Sequence, residues 1–262
     1  MGSGFTSIPL SFNRRMVRAS ASVTKEKHAI HSLTETDITI PRQLISEHFE
    51  KTGEKLSFTA YIVACLAQVI KNHPELNSFI KGKRLIMLED VTISVLLERE
   101  IEGEKVPEPI GIRQAQLKSY RDIHHEIRAA KEKEGKNIGD LSGKAWVRLI
   151  PSFLLKTFVR IADRNIRMAK RYGKVAVTAV GMFSKEPVWF IPHGTATVLL
   201  TIGSISNKVV EIDGKFESRE HLCITASFDH DIVDGAPAAR FMSEFGTLLK
   251  SGEILEREIV NL

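Results

Sequence analysis

The sequence predicts an α/β fold in one domain that spans residues 1–262. Segments with the two-residue apolar alternation of strands are interspersed with segments whose apolar residues recur every three or four positions, as in helices. With 262 residues, 43% of them hydrophobic, the chain can bury one large core. It has no internal repeat and no low-complexity linker, so a single α/β domain is expected.

Six segments have the apolar spacing or the capping residues that indicate helices. They are residues 8–23, 39–53, 57–74, 117–135, 146–172 and 234–249. Ser57 is a candidate N-cap, Pro74 stops the third helix, and Gly252 closes the last one.

Seven segments between these helices are predicted to be strands. They are residues 28–40, 84–88, 91–98, 175–180, 197–202, 209–212 and 221–228. The second and third are expected to pair with each other, and Asp213-Gly214 forms a hairpin turn. The polar stretch 100–109, which contains prolines, is predicted to be a loop.

Charge and cysteine usage restrict the class of protein. The net charge of +5 is mild, which favours small polyanionic ligands, and no zinc-finger spacing or aromatic-basic stripe suggests a nucleic-acid partner. Cys65 and Cys223 each lie in an apolar run, which predicts two buried free thiols in a reducing compartment. The sequence has no secretory signal pattern and no membrane-spanning run, so a cytoplasmic location is expected.

The residues with the clearest chemistry lie where the last predicted strand meets the last helix. His230 precedes Asp234-Gly235 by four positions, and a neutral imidazole can accept a proton near pH 7. Asp234 is an anion at a helix start, and Gly235 either permits a tight turn or lets another chain approach. Alternatively, His230 is a structural histidine in a turn.

The whole segment 228–241 resembles the signature of dihydrolipoamide acyltransferases, the core subunits of 2-oxo acid dehydrogenase complexes. Its shorter His-x-x-x-Asp-Gly core is shared with chloramphenicol acetyltransferase and peptide-synthesis condensation domains. Residues 73–77, 173–183 and the basic opening from Pro9 to Arg15 are also similar to that family. The resemblance covers residues 8–250 and implies a chloramphenicol acetyltransferase-like α+β two-layer sandwich with a mixed central sheet.

The resemblance also implies roles for individual residues. His230 matches the family's general base, which removes a proton from the attacking thiol. Thr178 matches a serine that donates a hydrogen bond to the oxyanion, although it is also an ordinary β-branched strand residue. Asp234 matches a structural aspartate that pairs with an N-terminal arginine, here Arg14 or Arg15 with Arg15 preferred, unless both arginines are solvated surface charges.

The family's chemistry implies the partners. Coenzyme A or acyl-coenzyme A is the expected substrate, with no bound metal. The expected assembly is a homotrimer in which His230 of one chain faces Thr178 of the next. We expect no lipoyl or peripheral subunit-binding domain and no lipoyl group on this chain, so a lipoyl or acyl carrier protein would deliver the acyl group in trans.

The chain departs from the family pattern near the base and in one long segment. Asp231 replaces an arginine and places a negative charge beside His230, and Ala179 replaces an asparagine beside Thr178. Residues 144–174 hold nine lysines and arginines and one acid, Asp163. This segment is a packed helix with a solvated face, a coenzyme A phosphate patch, or a membrane-surface helix. The departures leave two alternative functions, a non-catalytic trimeric scaffold and a membrane-surface acyltransferase.

Overall fold

A mixed six-stranded sheet organises the protein. The computed structural model describes residues 4–101, 104–132, 150–181, 184 and 186–260. The strands are β1 (Ala29–Asp37), β2 (Ser78–Lys81), β3 (Arg84–Met87), β4 (Ile93–Ile101), β5 (Glu104–Ile112), β6 (Val175–Ala179), β7 (Val198–Ile212) and β8 (Lys215–Asp229). The large sheet has the order β1-β8-β7-β6-β4-β5, with β6 parallel to β4 and β7 and the other neighbours antiparallel.

The main α-helices are α1 (Phe12–Thr24), α2 (Thr39–Thr52), α3 (Phe58–Asn72), α4 (Tyr120–Glu132), α5 (Ser152–Asp163), α6 (Ile166–Tyr172) and α7 (Gly235–Ser251). Of these, α2, α3, α4 and α7 form the main core with one face of the sheet, whereas the buried side chains of α1, α5 and α6 lie outside that core. Ser57 caps α3 by accepting a hydrogen bond from the Ala60 amide, and α7 contributes Phe241 and Phe245 to the core. Each such phenyl ring contributes about 2 kcal/mol when it is buried. The α/β class and the two-layer arrangement with a mixed sheet are confirmed.

An irregular segment, residues 186–197, lies against the opposite face of the sheet. The Val188 amide donates to Ser204 Oγ at 2.8 Å, and Trp189 Nε1 donates to the Thr34 carbonyl at 3.0 Å. A Cβ on Gly203 would lie 2.2 Å from the Val188 carbonyl oxygen, so this close approach requires glycine. The segment buries the central strands β7 and β8 on their second face.

The pairing of the strands differs from the sequence prediction in two places. Strand β3 pairs with β2 in a separate hairpin, whereas β4 pairs with β5 and β6. The predicted loop at 100–109 is mostly strand, because β5 is an edge strand and its Pro107 and Pro109 need not donate to a further neighbour.

Two further predictions concern the last hairpin. Segments 197–202 and 209–212 belong to the single strand β7, with a register shift between Ile202 and Ile205. Asp213 and Gly214 have φ values of 50° and 76°, which confirms the predicted hairpin turn between β7 and β8.

The predicted long helix 146–172 is two helices in its described part. Asn165 interrupts it, because its side chain accepts hydrogen bonds from the amides of Arg167 and Met168 and so caps α6. Residues 146–149 and the predicted end of the preceding helix at 133–135 lie outside the described residues. Helix α5 packs against α1. Within the described ranges, no helix is both long enough and apolar enough to cross a bilayer.

Candidate active site

His230 lies in the short turn that joins β8 to α7. Its amide donates to the His28 carbonyl at 2.6 Å, and the amides of Ile232 and Val233 both donate to the Asp229 carbonyl at 3.0 Å. These bonds fix the backbone of the turn while the His230 side chain stays 42% exposed. The hydrogen-bonded backbone of the turn therefore holds the imidazole where solvent can reach it.

Asp234 lies beside this imidazole. One of its carboxylate oxygens is 3.6 Å from His230 Nδ1, which is an ion-pair distance but too long for a good hydrogen bond. Asp234 occupies the N-cap position of α7 without a side-chain capping bond, and its side chain is 85% exposed. Because Asp234 faces Nδ1, the other ring nitrogen, Nε2, points away from the carboxylate, and no side chain in the described ranges bonds to it.

A buried ion pair at the end of β8 stabilises the turn. Asp229 is 5% exposed, and Lys27 Nζ lies 2.8 Å from its carboxylate and 2.6 Å from the Thr195 carbonyl. The lysine thus joins the end of β8 to segment 186–197. Lys27 is not among the site residues predicted from the sequence, although an aspartate at the end of an apolar strand is a signal for a buried cation.

Asp231 makes a different contact from the one expected. Its carboxylate lies 2.9 Å from His28 Nδ1, not against His230. The strand register explains this, because Ala29 pairs with Asp229 and so His28 comes beside the turn that follows β8. His28, which is not among the predicted site residues, accepts a hydrogen bond from the His230 amide through its carbonyl and contacts Asp231 through its ring.

The expected pair between Asp234 and Arg14 or Arg15 is a further correction. In the described ranges the recorded ion pair of Asp234 is with His230, and the Arg15 guanidinium donates to the Ile150 carbonyl. Packing of α1 against α5 explains the change, because it directs Arg15 toward the start of α5.

Gly235 does not have the backbone conformation of a tight left-handed turn. Its φ angle is not positive, and a Cβ placed there would meet no atom of the described residues within 4 Å. The expectation of a tight turn is therefore wrong. The other expectation, that a neighbouring chain approaches at this point, stays a prediction.

Thr178 lies on the central strand β6, half-buried, directly opposite Thr201 on β7. Thr201 in turn lies opposite Thr225 on β8, so three threonines form a row on one face of the sheet. The hydroxyls of Thr201 and Thr225 are buried and have no hydrogen-bond partner in the described structure. Ala179, the next residue on β6, turns toward the helical core.

Thr178 and His230 of one chain are far apart. Thr178 is level with Thr225, which is two strands away, and β8 continues for four residues to Asp229 before His230. Strand spacing of about 4.8 Å and a rise of about 3.3 Å per residue place the Cα atoms of the two residues roughly 16 Å or more apart, a distance that the two side chains cannot bridge. One reacting carbonyl cannot lie within about 3 Å of both.

The two cysteines and a basic cleft lie outside the β8–α7 turn. Cys65 and Cys223 are buried, as predicted, and burial raises the pKa of the Cys65 thiol. The described residues contain no cluster of three or more histidine, cysteine or acidic side chains suited to a metal. A cleft of about 840 Å³ at the start of β4 and β6 is lined by three cationic side chains of the segment 144–174 and by two cations and two acids from elsewhere, namely Arg167, Lys170, Arg171, Arg113, Lys118, Glu89 and Asp90.

Comparison of the sequence with known families and proteins agrees with this architecture. The sequence profile described as "2-oxoacid dehydrogenases acyltransferase (catalytic domain)" matches residues 5–142 and 168–255. The chain is 26% identical over 258 residues to the lipoamide acyltransferase component of the branched-chain alpha-keto acid dehydrogenase complex of Bacillus subtilis, covering 95% of this chain and 53% of that protein. It is 29% identical over 213 residues to the succinyltransferase component of the 2-oxoglutarate dehydrogenase complex of Rickettsia bellii, covering 80% and 45%. The chain thus spans about half the length of these relatives.

Solved structures show the same fold. A dihydrolipoamide acetyltransferase of Azotobacter vinelandii, studied for the catalytic role of a serine, a histidine and an asparagine, matches with a TM-score of 0.73 and 19% identity over 96% of this chain and 93% of that one. A probable dihydrolipoamide acetyltransferase of Listeria monocytogenes matches with a TM-score of 0.70 and 22% identity over 94% of both chains. A chloramphenicol acetyltransferase matches with a TM-score of 0.50 and 13% identity over 91% and 95%. The chain belongs to the catalytic-domain family of the 2-oxo acid dehydrogenase acyltransferases.

Proposed function

We propose that this protein transfers an acyl group between a thioester, coenzyme A-bound or carrier-bound, and a thiol or another nucleophile. The observation that carries the proposal is the His230 imidazole, exposed on a rigid turn with Asp234 at Nδ1. This arrangement leaves Nε2 as the nitrogen that can accept a proton.

The chemistry follows from that nitrogen. His230 Nε2 takes the proton of the incoming thiol, and the sulfur attacks the thioester carbonyl to give a tetrahedral oxyanion. The hydroxyl of Thr178 donates a hydrogen bond to that oxyanion, a contribution of about 3 kcal/mol to the transition state. When the intermediate collapses, the departing sulfur recovers the proton from the imidazolium.

Residue spacing supports the assignment of Thr178. In the Azotobacter vinelandii protein, the studied serine precedes the histidine by 52 residues and the asparagine follows it by four. Thr178 precedes His230 by 52 residues, and Asp234 follows it by four. Asp234, close to Nδ1, is then a positioning residue for the ring, in place of its expected partnership with an arginine.

The separation of His230 and Thr178 within one chain supports a trimeric enzyme. If both act on one carbonyl, they come from different copies of the chain, with His230 of one copy facing Thr178 of the next. Gly235, which is open in the single chain, would then lie where the neighbouring copy approaches.

The acyl group is proposed to arrive on a separate carrier. The relatives are components of 2-oxo acid dehydrogenase complexes, so a lipoyl or acyl carrier in trans, or free coenzyme A, is the proposed partner. The cationic cleft beside α6 is suited to the phosphates of coenzyme A. A cytoplasmic location stays a prediction.

The test is an acyl-transfer assay with a histidine variant. The full chain is incubated with acetyl-, succinyl- or branched-chain acyl-coenzyme A and dihydrolipoamide, and release of free coenzyme A is followed. We expect turnover that falls at least a hundredfold in His230→Ala. His125→Ala, which removes an exposed histidine of α4, is the matched control and retains full activity. Absence of turnover with every thioester, with trimers intact, would support the scaffold instead.

A further inference from the structure

One helix of this chain lies in a stretch that the family profile does not match. The family profile matches residues 5–142 and resumes at 168, so it passes over 143–167. Helix α5, Ser152–Asp163, lies wholly within this unmatched stretch. Its main packing partners are α1 and α6, its last residue pairs with Lys174 next to β6, and none of its residues lies in the β8–α7 turn. The proposed acyl transfer therefore does not explain why α5 is present.

Helix α5 is amphipathic, but its apolar side is only partly covered. Leu155 is buried, on the side of the helix that packs toward α1. The other apolar side chains stay exposed: Phe153 by 68%, Leu154 by 47%, Phe158 by 45% and Ile161 by 63%. At 100° per residue these four positions fall within one arc of about 140°, here called the α5 arc.

Cationic side chains lie along one side of the α5 arc and at its C-terminal end. Residues 150–174 contain seven lysines and arginines and one acid, Asp163. Lys156 and Arg160 lie on one side of the arc and bind Glu26, while Arg164 is exposed at the helix end. The acid Asp163 is held by Lys174 at 2.6 Å, so it does not offset the exposed cations.

We propose that the α5 arc binds the surface of an anionic phospholipid bilayer. Four large apolar side chains, two of them phenylalanines, with flanking cations match the lipid-facing side of an interfacial helix. A helix of 12 residues is about 18 Å long, suited to lying in the headgroup region. Anionic headgroups complement the exposed Arg164 at the end of the helix and the excess of cations in residues 150–174.

Cosedimentation of the full chain with vesicles tests the proposal. Vesicles of phosphatidylcholine mixed with phosphatidylglycerol are compared with vesicles of phosphatidylcholine alone. We expect binding to the anionic vesicles, weakened as salt screens the charges. Phe153→Ser should weaken binding about tenfold, because it removes one exposed phenyl ring. Arg164→Gln should weaken it about fivefold.

Matched controls distinguish vesicle binding through the α5 arc from nonspecific adsorption of the protein to lipid. Phe216→Ser and Lys215→Gln remove an exposed ring and an exposed cation from the β7–β8 hairpin and should leave vesicle binding unchanged. The proposal is overturned if the anionic vesicles do not bind the chain, or if Phe153→Ser binds as tightly as the parent. It is also overturned if Phe153→Ser changes the oligomer mass, because the arc is then an interface between copies. Acyl-transfer activity in solution should be equal in all four variants.

Discussion

Mixed oligomers provide the sharpest test of the active-site geometry. His230 and Thr178 of one chain are roughly 16 Å or more apart across the sheet, so each proposed site takes one residue from each of two chains. A chain with His230→Ala and a chain with Thr178→Val are each inactive alone, by about a hundredfold or more. Valine keeps the β-branched shape that suits β6 and removes only the hydroxyl.

Coexpression of the two variants should restore activity by a predictable amount. If the chains assemble at random in equal amounts, a site has an intact His230 with a probability of one half and an intact Thr178 with the same probability. About one quarter of all sites are then complete, so the mixture should show about one quarter of the parent activity. This lies well above the background of about 1% that each variant retains alone.

Differently tagged chains allow the measurement to be made on isolated mixed trimers. Tandem affinity purification selects trimers that contain both variants, and each such trimer has one complete site out of three, so the isolated sample should show about one third of the parent activity. Coenzyme A release from the acyl thioester gives the rate. The double variant, which carries both substitutions on one chain, is mixed with the parent chain as the control. Recovery at the background level in correctly assembled mixed oligomers would refute the shared site, since His230 and Thr178 would then act within one chain or not together.

Three other predictions follow from single contacts. Gly235→Ala should leave the free energy of unfolding unchanged or raise it, because a Cβ at this position meets no described atom of the chain. The same variant should lower the activity in the coenzyme A assay, because the added methyl group obstructs the approach of a neighbouring copy. Equal activity would show that no neighbouring copy requires glycine there. Thr225→Val should raise the free energy of unfolding by about 1 kcal/mol in urea denaturation, because it removes a buried hydroxyl without a partner, and a decrease would reveal an undetected bond. His48 and Arg121 lower the pKa of Glu54, so its stabilising contribution is present above about pH 4.5 and lost as the pH falls. Glu54→Gln should therefore flatten the acid side of the melting-temperature profile, and a parallel profile would contradict this.

Local signals in the sequence were sufficient for most elements of the fold. Ser57 caps α3, Gly53 and Gly252 end helices in the left-handed conformation, and Asp213-Gly214 turns the last hairpin. Each depends on a few neighbouring residues whose backbone preferences agree with the final structure. Such elements can be predicted because the residues that determine them are adjacent in sequence.

Pairing between distant strands could not be predicted in the same way. Strand β5 contains Pro107 and Pro109 and resembles a loop until its position at the sheet edge is known. Strand β3 resembles a partner for β4 because the two are adjacent in sequence, but it pairs with β2 instead. In both cases the correct answer depends on which strand occupies the next position in the sheet, and that is decided by packing across the whole domain.

The candidate site shows the same division between local and distant information. The spacing of His230 and Asp234 identifies the turn, but the contacts of the turn come from residues about 200 positions earlier, Lys27 and His28. Those contacts redirect Asp231 to His28, so a charge adjacent to His230 in sequence is engaged elsewhere in space. Assignment of a charge to a catalytic base therefore requires the strand register, and here the pairing of β1 with β8 decides it.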